Sequence, residues 1–234
     1  MKLAIDVGNS TICAVLFSPV GPKDPVVLSS QSPQLDRLDP LLASAEKVLI
    51  AGVAPSITEK TASCIREKGA RVRVITCRDI PLETIGADRN TVGADRLLNG
   101  LCAAREYDLP AVIVDSGSAV TVDVVDDSGK FRGGAIFPGL RMLARSLARD
   151  AELLRAQGDI RLEEAPMPGR NTTEAVRSGI LRGSAGMIQR LVRDAEKFLQ
   201  TPATVILTGG TSRQMMQLLD GPDPVLDPLL TVKG

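Results

Sequence analysis

One local plan occurs twice in this chain and constrains its fold more than any other feature. An apolar strand ends on an acid, a glycine follows two residues later, and hydroxyl side chains come next. The copies are Asp6-Val7-Gly8-Asn9-Ser10-Thr11 and Asp115-Ser116-Gly117-Ser118-Ala119-Val120-Thr121, 109 residues apart. A third strand end, Leu207-Thr208-Gly209-Gly210-Thr211, has the glycines without the acid. One Asp-x-Gly-x-Ser/Thr is an ordinary turn, because Asp and Gly are common turn formers. Two copies in the same strand context point to a duplicated α/β fold. A length of 234 residues accommodates two lobes of this kind, read as 1–108 and 109–234.

The pattern along each half supports the duplication. Strands are expected at Lys2–Val7, 12–17, 26–28, 47–53 and 71–76, with a Pro/Gly-rich loop at 19–25. Helical spacing covers 35–45. Ser56-Ile57-Thr58-Glu59 reads as a capping box, opening a helix that stops at Gly69. A turn-like stretch, 79–91, precedes a helix over 94–107. In the second half, strands are expected at 111–114, 120–125, 135–137 and 204–207, with Phe131-Arg132-Gly133-Gly134 as a turn. Helices are expected over 140–154, from the cap at Asn171-Thr172-Thr173-Glu174 to Leu199, and over 214–219. Loops are expected at 159–168 and 221–228, then a short final segment at 229–232.

Composition removes several function classes. The chain has no histidine, so a Ser-His-Asp triad, a Cys-His pair and His-ligated zinc are all excluded. General-base work falls mainly to Asp or Glu. Basic and acidic residues balance at 28 each, which disfavours nucleic-acid partners and a polybasic membrane role. Cys13, Cys64, Cys77 and Cys102 form no Cys-x-x-Cys pair and read as reduced, small core residues. An acid at position six leaves no signal-peptide apolar region, and no apolar run reaches membrane-spanning length. These features lead to an expectation of a cytoplasmic protein with no membrane partner.

The repeated turns suit phosphate. Glycine lets the backbone approach a ligand, and successive N–H groups and hydroxyls can donate to phosphate oxygens. A carboxylate at a strand end can hold Mg²⁺, directly or through water. Two such turns on two lobes are the plan of actin, the sugar kinases and the heat-shock chaperone ATPases. No Gly-x-x-x-x-Gly-Lys-Ser/Thr loop is present. Asp95, in Val92-Gly93-Ala94-Asp95-Arg96, opens a helix, so it either complements the helix dipole or serves as a base with a low pKa. Arg96 either pairs with Asp95 or holds an anionic substrate group. Gly86-Ala87-Asp88-Arg89 repeats the same four letters seven residues earlier, but without the apolar helix that follows Asp95.

On these motifs the chain resembles the type III pantothenate kinases. The resemblance rests on Asp6–Ser10, Gly93–Arg96, Asp115–Asp123, Gly133–Gly139, Gly169–Thr172 and Thr208–Gly210, in order over nearly the whole chain. It implies two ribonuclease-H-like lobes of the actin/sugar-kinase-like ATPase fold, with ATP in a central cleft, and a homodimer. It implies ATP-dependent phosphorylation of pantothenate to 4'-phosphopantothenate, the first step of coenzyme A biosynthesis. It assigns Asp6, Val7, Gly8, Asn9, Ser10, Thr11, Ile12, Cys13 and Ser118 to ATP. Gly93, Ala94, Asp95, Arg96 and Thr172 fall to pantothenate, with Asp95 as proton acceptor. Asp115 takes a monovalent cation (K⁺ or NH₄⁺), and Asp6 takes the Mg²⁺ that accompanies ATP.

Some residues keep other readings open. Thr172 also fits a helix cap, and Asp123 also fits a solvated strand face. Gly86 stands where family members often carry Tyr or a bulky apolar residue that walls the pantothenate pocket. A kinase for another small hydroxylated metabolite, or a catalytically silent nucleotide-binding regulator, are the alternatives.

Overall fold

A computed structural model describes residues 1–151, 161–220 and 224–234. The chain forms two compact units, Met1–Glu106 with Leu229–Gly234, and Tyr107–Pro228. The last six residues, counted with the second half from the sequence, pack with the first unit.

In the first unit, six strands share one sheet: β1 (Lys2–Val7), β2 (Thr11–Ser18), β3 (Gly21–Pro22), β4 (Val26–Ser29), β5 (Lys47–Gly52) and β6 (Val72–Val74). The order is β3-β2-β1-β5-β6, with β4 also paired to β2. β2 is antiparallel to β1, β5 is parallel to β1, and β6 is parallel to β5. Side chains alternate across a strand, so Leu3, Ile5 and Val7 share one face. They close a core with Ile12, Ile50, Leu38 and, from helix α2 (Pro55–Glu67), Ala62 and Ile65.

Two helix starts depart from the sequence reading, both because of proline. Residues 35–45 form a 3₁₀ turn, Leu35–Leu38, and then a short α1 (Asp39–Leu42). Pro40 has no N–H to continue the first turn but is tolerated in the first turn of a new one. Ser56 is not a helix cap. Pro55 takes the first helical position of α2, which its fixed φ favours, and Ala54 precedes it.

The second unit repeats the sheet plan. Strands β7 (Ala111–Ser116), β8 (Ala119–Val125), β9 (Phe131–Pro138), β10 (Thr204–Thr208) and β11 (Val225–Leu226) lie in the order β11-β10-β7-β8-β9. β7, β8 and β9 are antiparallel neighbours, while β10 runs parallel to β7 and β11 to β10. Each sheet thus has a central strand, an antiparallel hairpin partner on one side and parallel strands on the other. Helices α4 (Leu140–Asp150), α5 (Thr172–Leu199) and α6 (Ser212–Met216) supply Leu140, Ile180, Leu181, Ile188 and Met215 to one core with Val112, Val114 and Val122.

Residues 131–134 are strand rather than turn. Gly134 pairs with Asp123, and a Cβ on it would lie 2.1 Å from the Val122 carbonyl oxygen and 2.6 Å from Asp123 Oδ1. The glycine makes room for a carboxylate, and Asp123 is fully buried, which corrects the solvated-face reading. α4 ends at Asp150, and α6 spans 212–216 rather than 214–219. The parts of the expected 140–154 helix and the 159–168 and 221–228 loops at 152–160 and 221–223 lie outside the described residues. The start of α5 agrees with the sequence: Asn171 Oδ1 accepts the Glu174 N–H at 2.9 Å. The Glu174 carboxylate accepts the Arg170 N–H at 2.7 Å, one residue earlier than the usual capping box. Among the described residues, no helix is long and apolar enough to cross a membrane.

Candidate active site

The first-unit site is built at the C-terminal ends of the parallel pair β1 and β5. Asp6 is the penultimate residue of β1, paired across the sheet with Cys13 and Ala51. The turn that follows closes with the Gly8 N–H donating to the Thr11 carbonyl at 2.9 Å. Ser30 braces it from the end of β4: its hydroxyl donates to the Gly8 carbonyl at 2.7 Å, and its N–H donates to the Ser10 carbonyl at 3.0 Å. Asn9, Ser10 and Thr11 are exposed at the tip. Val7 and Ile12 point into the core, so only their main chain can meet a ligand. The Cys13 thiol is pushed up to about 11, first by burial and then by the Asp6 charge. It therefore stays a neutral thiol at neutral pH. Asp6 also lines a mainly apolar cavity of about 170 Å³ with Ala4, Leu49, Ile80, Leu98 and Val232.

Asp95 lies in the first turn of α3 (Ala94–Glu106) in the same unit. The Val53 N–H donates to the Val7 carbonyl at 3.1 Å, which brings residue 53 beside the end of β1. Val53 in turn meets Gly93: a Cβ there would sit 3.4 Å from Val53 Cγ1 and only 2.4 Å from Asp95 Oδ1. Gly93 is thus the residue whose missing side chain the Asp95 carboxylate occupies. The Arg96 N–H donates to Asp95 Oδ1 at 2.8 Å. Burial pushes the Asp95 carboxyl above the ordinary Asp range, against the Arg96 N–H bond and charge that pull it down. This corrects the low pKa expected from the helix terminus alone, because desolvation outweighs the hydrogen bonds and charge that favour the carboxylate.

The second unit presents the related turn at the ends of β7 and β10. Thr208 pairs with Asp115, and Gly209 has φ +89°. A Cβ on Gly209 would lie 2.3 Å from Asp115 Oδ1 and 2.7 Å from the Ser116 carbonyl. The Thr208–Thr211 strand end is therefore packed against the Asp115 carboxylate. Thr211 joins the two turns, donating from its N–H and its hydroxyl to the Ser116 carbonyl, both at 2.9 Å. Its hydroxyl also lies 2.6 Å from that of Ser116. Ser118 is half-buried on the same turn as Asp115. Thr172 is the exposed first residue of α5, next to its Asn171 cap. Thr211, Ser30 and Gly209 were not singled out as site residues from the sequence. The Thr-Gly-Gly-Thr strand end signals Gly209 and Thr211, and no local motif signals Ser30.

The comparisons with known proteins agree with this architecture. The family model described as type III pantothenate kinase matches residues 2–194. The type III pantothenate kinase of Rubrobacter xylanophilus is 36% identical over 82% of this chain and 75% of its own length. That of Chlorobaculum tepidum is 32% identical over 100% of this chain and 92% of its own. Among solved structures, the activator of 2-hydroxyisocaproyl-CoA dehydratase from Clostridium difficile with bound ADPNP has a TM-score of 0.56 at 13% identity, covering 99% of this chain and 91% of its own. A ROK family glucokinase from Streptomyces griseus, in complex with glucose and AMPPNP, has a TM-score of 0.53 at 13% identity, covering 99% and 96%. At these identities the two structures speak for the fold alone, which is the actin-like ATPase class expected from the repeated turns. With the family matched across most of its length, the chain belongs to the type III pantothenate kinase family.

Proposed function

We propose that the chain transfers the γ-phosphoryl group of ATP to the primary hydroxyl of pantothenate, yielding 4'-phosphopantothenate and ADP, the first step towards coenzyme A. The observation that carries this reading is Asp95, a desolvated carboxylate at the start of α3 in a member of this kinase family. The substrate hydroxyl gives its proton to Asp95 as its oxygen bonds to the γ-phosphorus. The bond from that phosphorus to the β–γ bridging oxygen breaks, and ADP leaves. Phosphoryl transfer asks the protein mainly for positioning and charge stabilisation. A carboxylate lifted above its usual range is also the stronger proton acceptor.

The remaining roles follow the same reading. The Asp6–Cys13 turn and Ser118 take the ATP phosphates, with Asn9, Ser10 and Thr11 offering exposed donors. Gly93, Ala94, Arg96 and Thr172 hold pantothenate, Arg96 through its charge. Asp6 and Asp115 present carboxylates at strand ends, and hard cations take oxygen ligands of this kind. Mg²⁺ fits Asp6 and a monovalent cation such as K⁺ fits Asp115; when bound, they supply positive charge against the phosphates. A homodimer is supported by the exposed face of α5, where Gly179, Gly183 and Gly186 leave open space for a close helix neighbour. The direct test of the base is Asp95→Asn, which conserves shape and removes the proton acceptor. Turnover in an ADP-release assay should fall by about 10²–10⁴. Wild-type turnover in this variant would sink the assignment.

A further inference from the structure

The first Gly-Ala-Asp-Arg copy, which the proposed chemistry leaves unused, contributes an arginine with an unusual set of partners. Arg89 is half-buried. Its Nε and Nη2 donate to the Cys77 carbonyl at 3.0 and 2.8 Å. Nη1 donates to the Leu82 carbonyl, and Nη2 also donates to the Ile80 carbonyl. One planar guanidinium thus ties down three carbonyls of a single loop. A lysine, with one compact ammonium, cannot reproduce that fork.

The loop that Arg89 holds is itself anchored. Thr76 and Asp79 cap the 3₁₀ turn Cys77–Asp79, with the Thr76 N–H and hydroxyl donating to Asp79 Oδ2 at 2.9 and 2.7 Å. Arg73 pairs with Asp79 at 2.6 Å. These contacts lower the Asp79 carboxyl to about 2, the Thr76 backbone bond most. Ile80 and Leu82 are buried. On the other side of Arg89, Asp88 Oδ1 accepts the Asn90 N–H at 3.0 Å, and the Asp88 carbonyl accepts the Thr91 N–H at 3.0 Å. Val92 is then buried, and Gly93 meets the Asp95 carboxylate. Only residues 90–92 separate the arginine from that close contact.

We infer that Arg89 is a positioning residue for Asp95: by binding the Cys77, Ile80 and Leu82 carbonyls, it fixes the path of the chain into α3 and hence the carboxylate. The inference rests on Asp95 being the proton acceptor. The clearance at Gly93 leaves the turn little room, and a misplacement of about 1 Å costs on the order of 10²-fold in rate. The test compares Arg89→Met, Arg89→Lys and Asp95→Asn by steady-state kinetics with ATP and pantothenate, alongside circular dichroism and thermal unfolding. For folded Arg89→Met, kcat should fall about 100-fold while KM for ATP stays within about twofold. Arg89→Lys keeps the charge but not the fork, and should lose at least about tenfold. A staple with no positioning role would lower the unfolding temperature and leave the kcat of folded protein unchanged. Wild-type kcat in folded Arg89→Met, or full recovery in Arg89→Lys, overturns the inference. If Arg89→Met does not fold, Arg89→Lys decides alone. Full turnover in Asp95→Asn refutes the base itself, whatever Arg89 does.

Discussion

Replacing Gly93 by Ala tests whether the placement of the Asp95 carboxylate sets the rate. The added Cβ would lie 2.4 Å from Asp95 Oδ1, where ordinary contact begins near 3.4 Å, so the oxygen must retreat by about 1.0 Å. A displacement of that size at a reacting group costs about 100-fold in kcat, or about 2.7 kcal/mol on the barrier. The stability cost should not exceed that, because the main obstacle is the end of a side chain. Crowding in a packed site costs about 1–3 kcal/mol, and Gly→Ala returns about 0.4–1 kcal/mol by restricting the unfolded chain. The assay is ADP release at saturating ATP and pantothenate, with thermal unfolding measured on the same samples. The expected result is a large fall in kcat in enzyme that still folds, with a net loss of stability between about 0 and 2.6 kcal/mol. A folded Gly93→Ala enzyme with wild-type kcat would refute the reasoning.

Four other outcomes are expected. The Asp95 carboxyl holds its proton more tightly folded than unfolded, so its ionisation lowers stability as pH rises from the unfolded to the folded pKa. Asp95→Asn should therefore be at least as stable as wild type at pH 7 in urea unfolding, and a clear loss there would contradict the burial argument. The acid limb of the wild-type kcat profile should also lie above the ordinary Asp range. Gly209→Ala faces a backbone obstacle and φ +89°, so a loss on the order of 3 kcal/mol is expected in urea unfolding; an unchanged midpoint would show that the Asp115 turn can yield. Substituting sodium for potassium should lower turnover, and equal rates in the two salts would remove the cation role of Asp115.

Much of the fold was legible because local signals and tertiary structure agree. The acid-glycine turns end β1 and β7 as the strand patterns indicated. Asn171 caps α5 because the N–H it satisfies lies three residues away. What the sequence misjudged depended on distant partners. Gly133 and Gly134 look like a turn, yet Gly134 is needed inside β9 by the Asp123 carboxylate on the neighbouring strand. Asp123 alternates like a surface residue but is covered in the fold. The helix start at Asp95 suggested a low pKa, whereas its burial raises it. Arg89 looked like the spare copy of a motif, and only the path of residues 77–82 gives its guanidinium a purpose.

The central claim is the reaction itself. The most direct measurement is identification of the product by mass spectrometry after incubation with ATP, Mg²⁺, K⁺ and pantothenate, with ADP quantified in parallel. The account predicts 4'-phosphopantothenate and ADP in equal amounts, with neither accumulating when pantothenate is omitted. ADP release that ignores pantothenate, or a phosphorylated product only from a different hydroxylated metabolite, would contradict it.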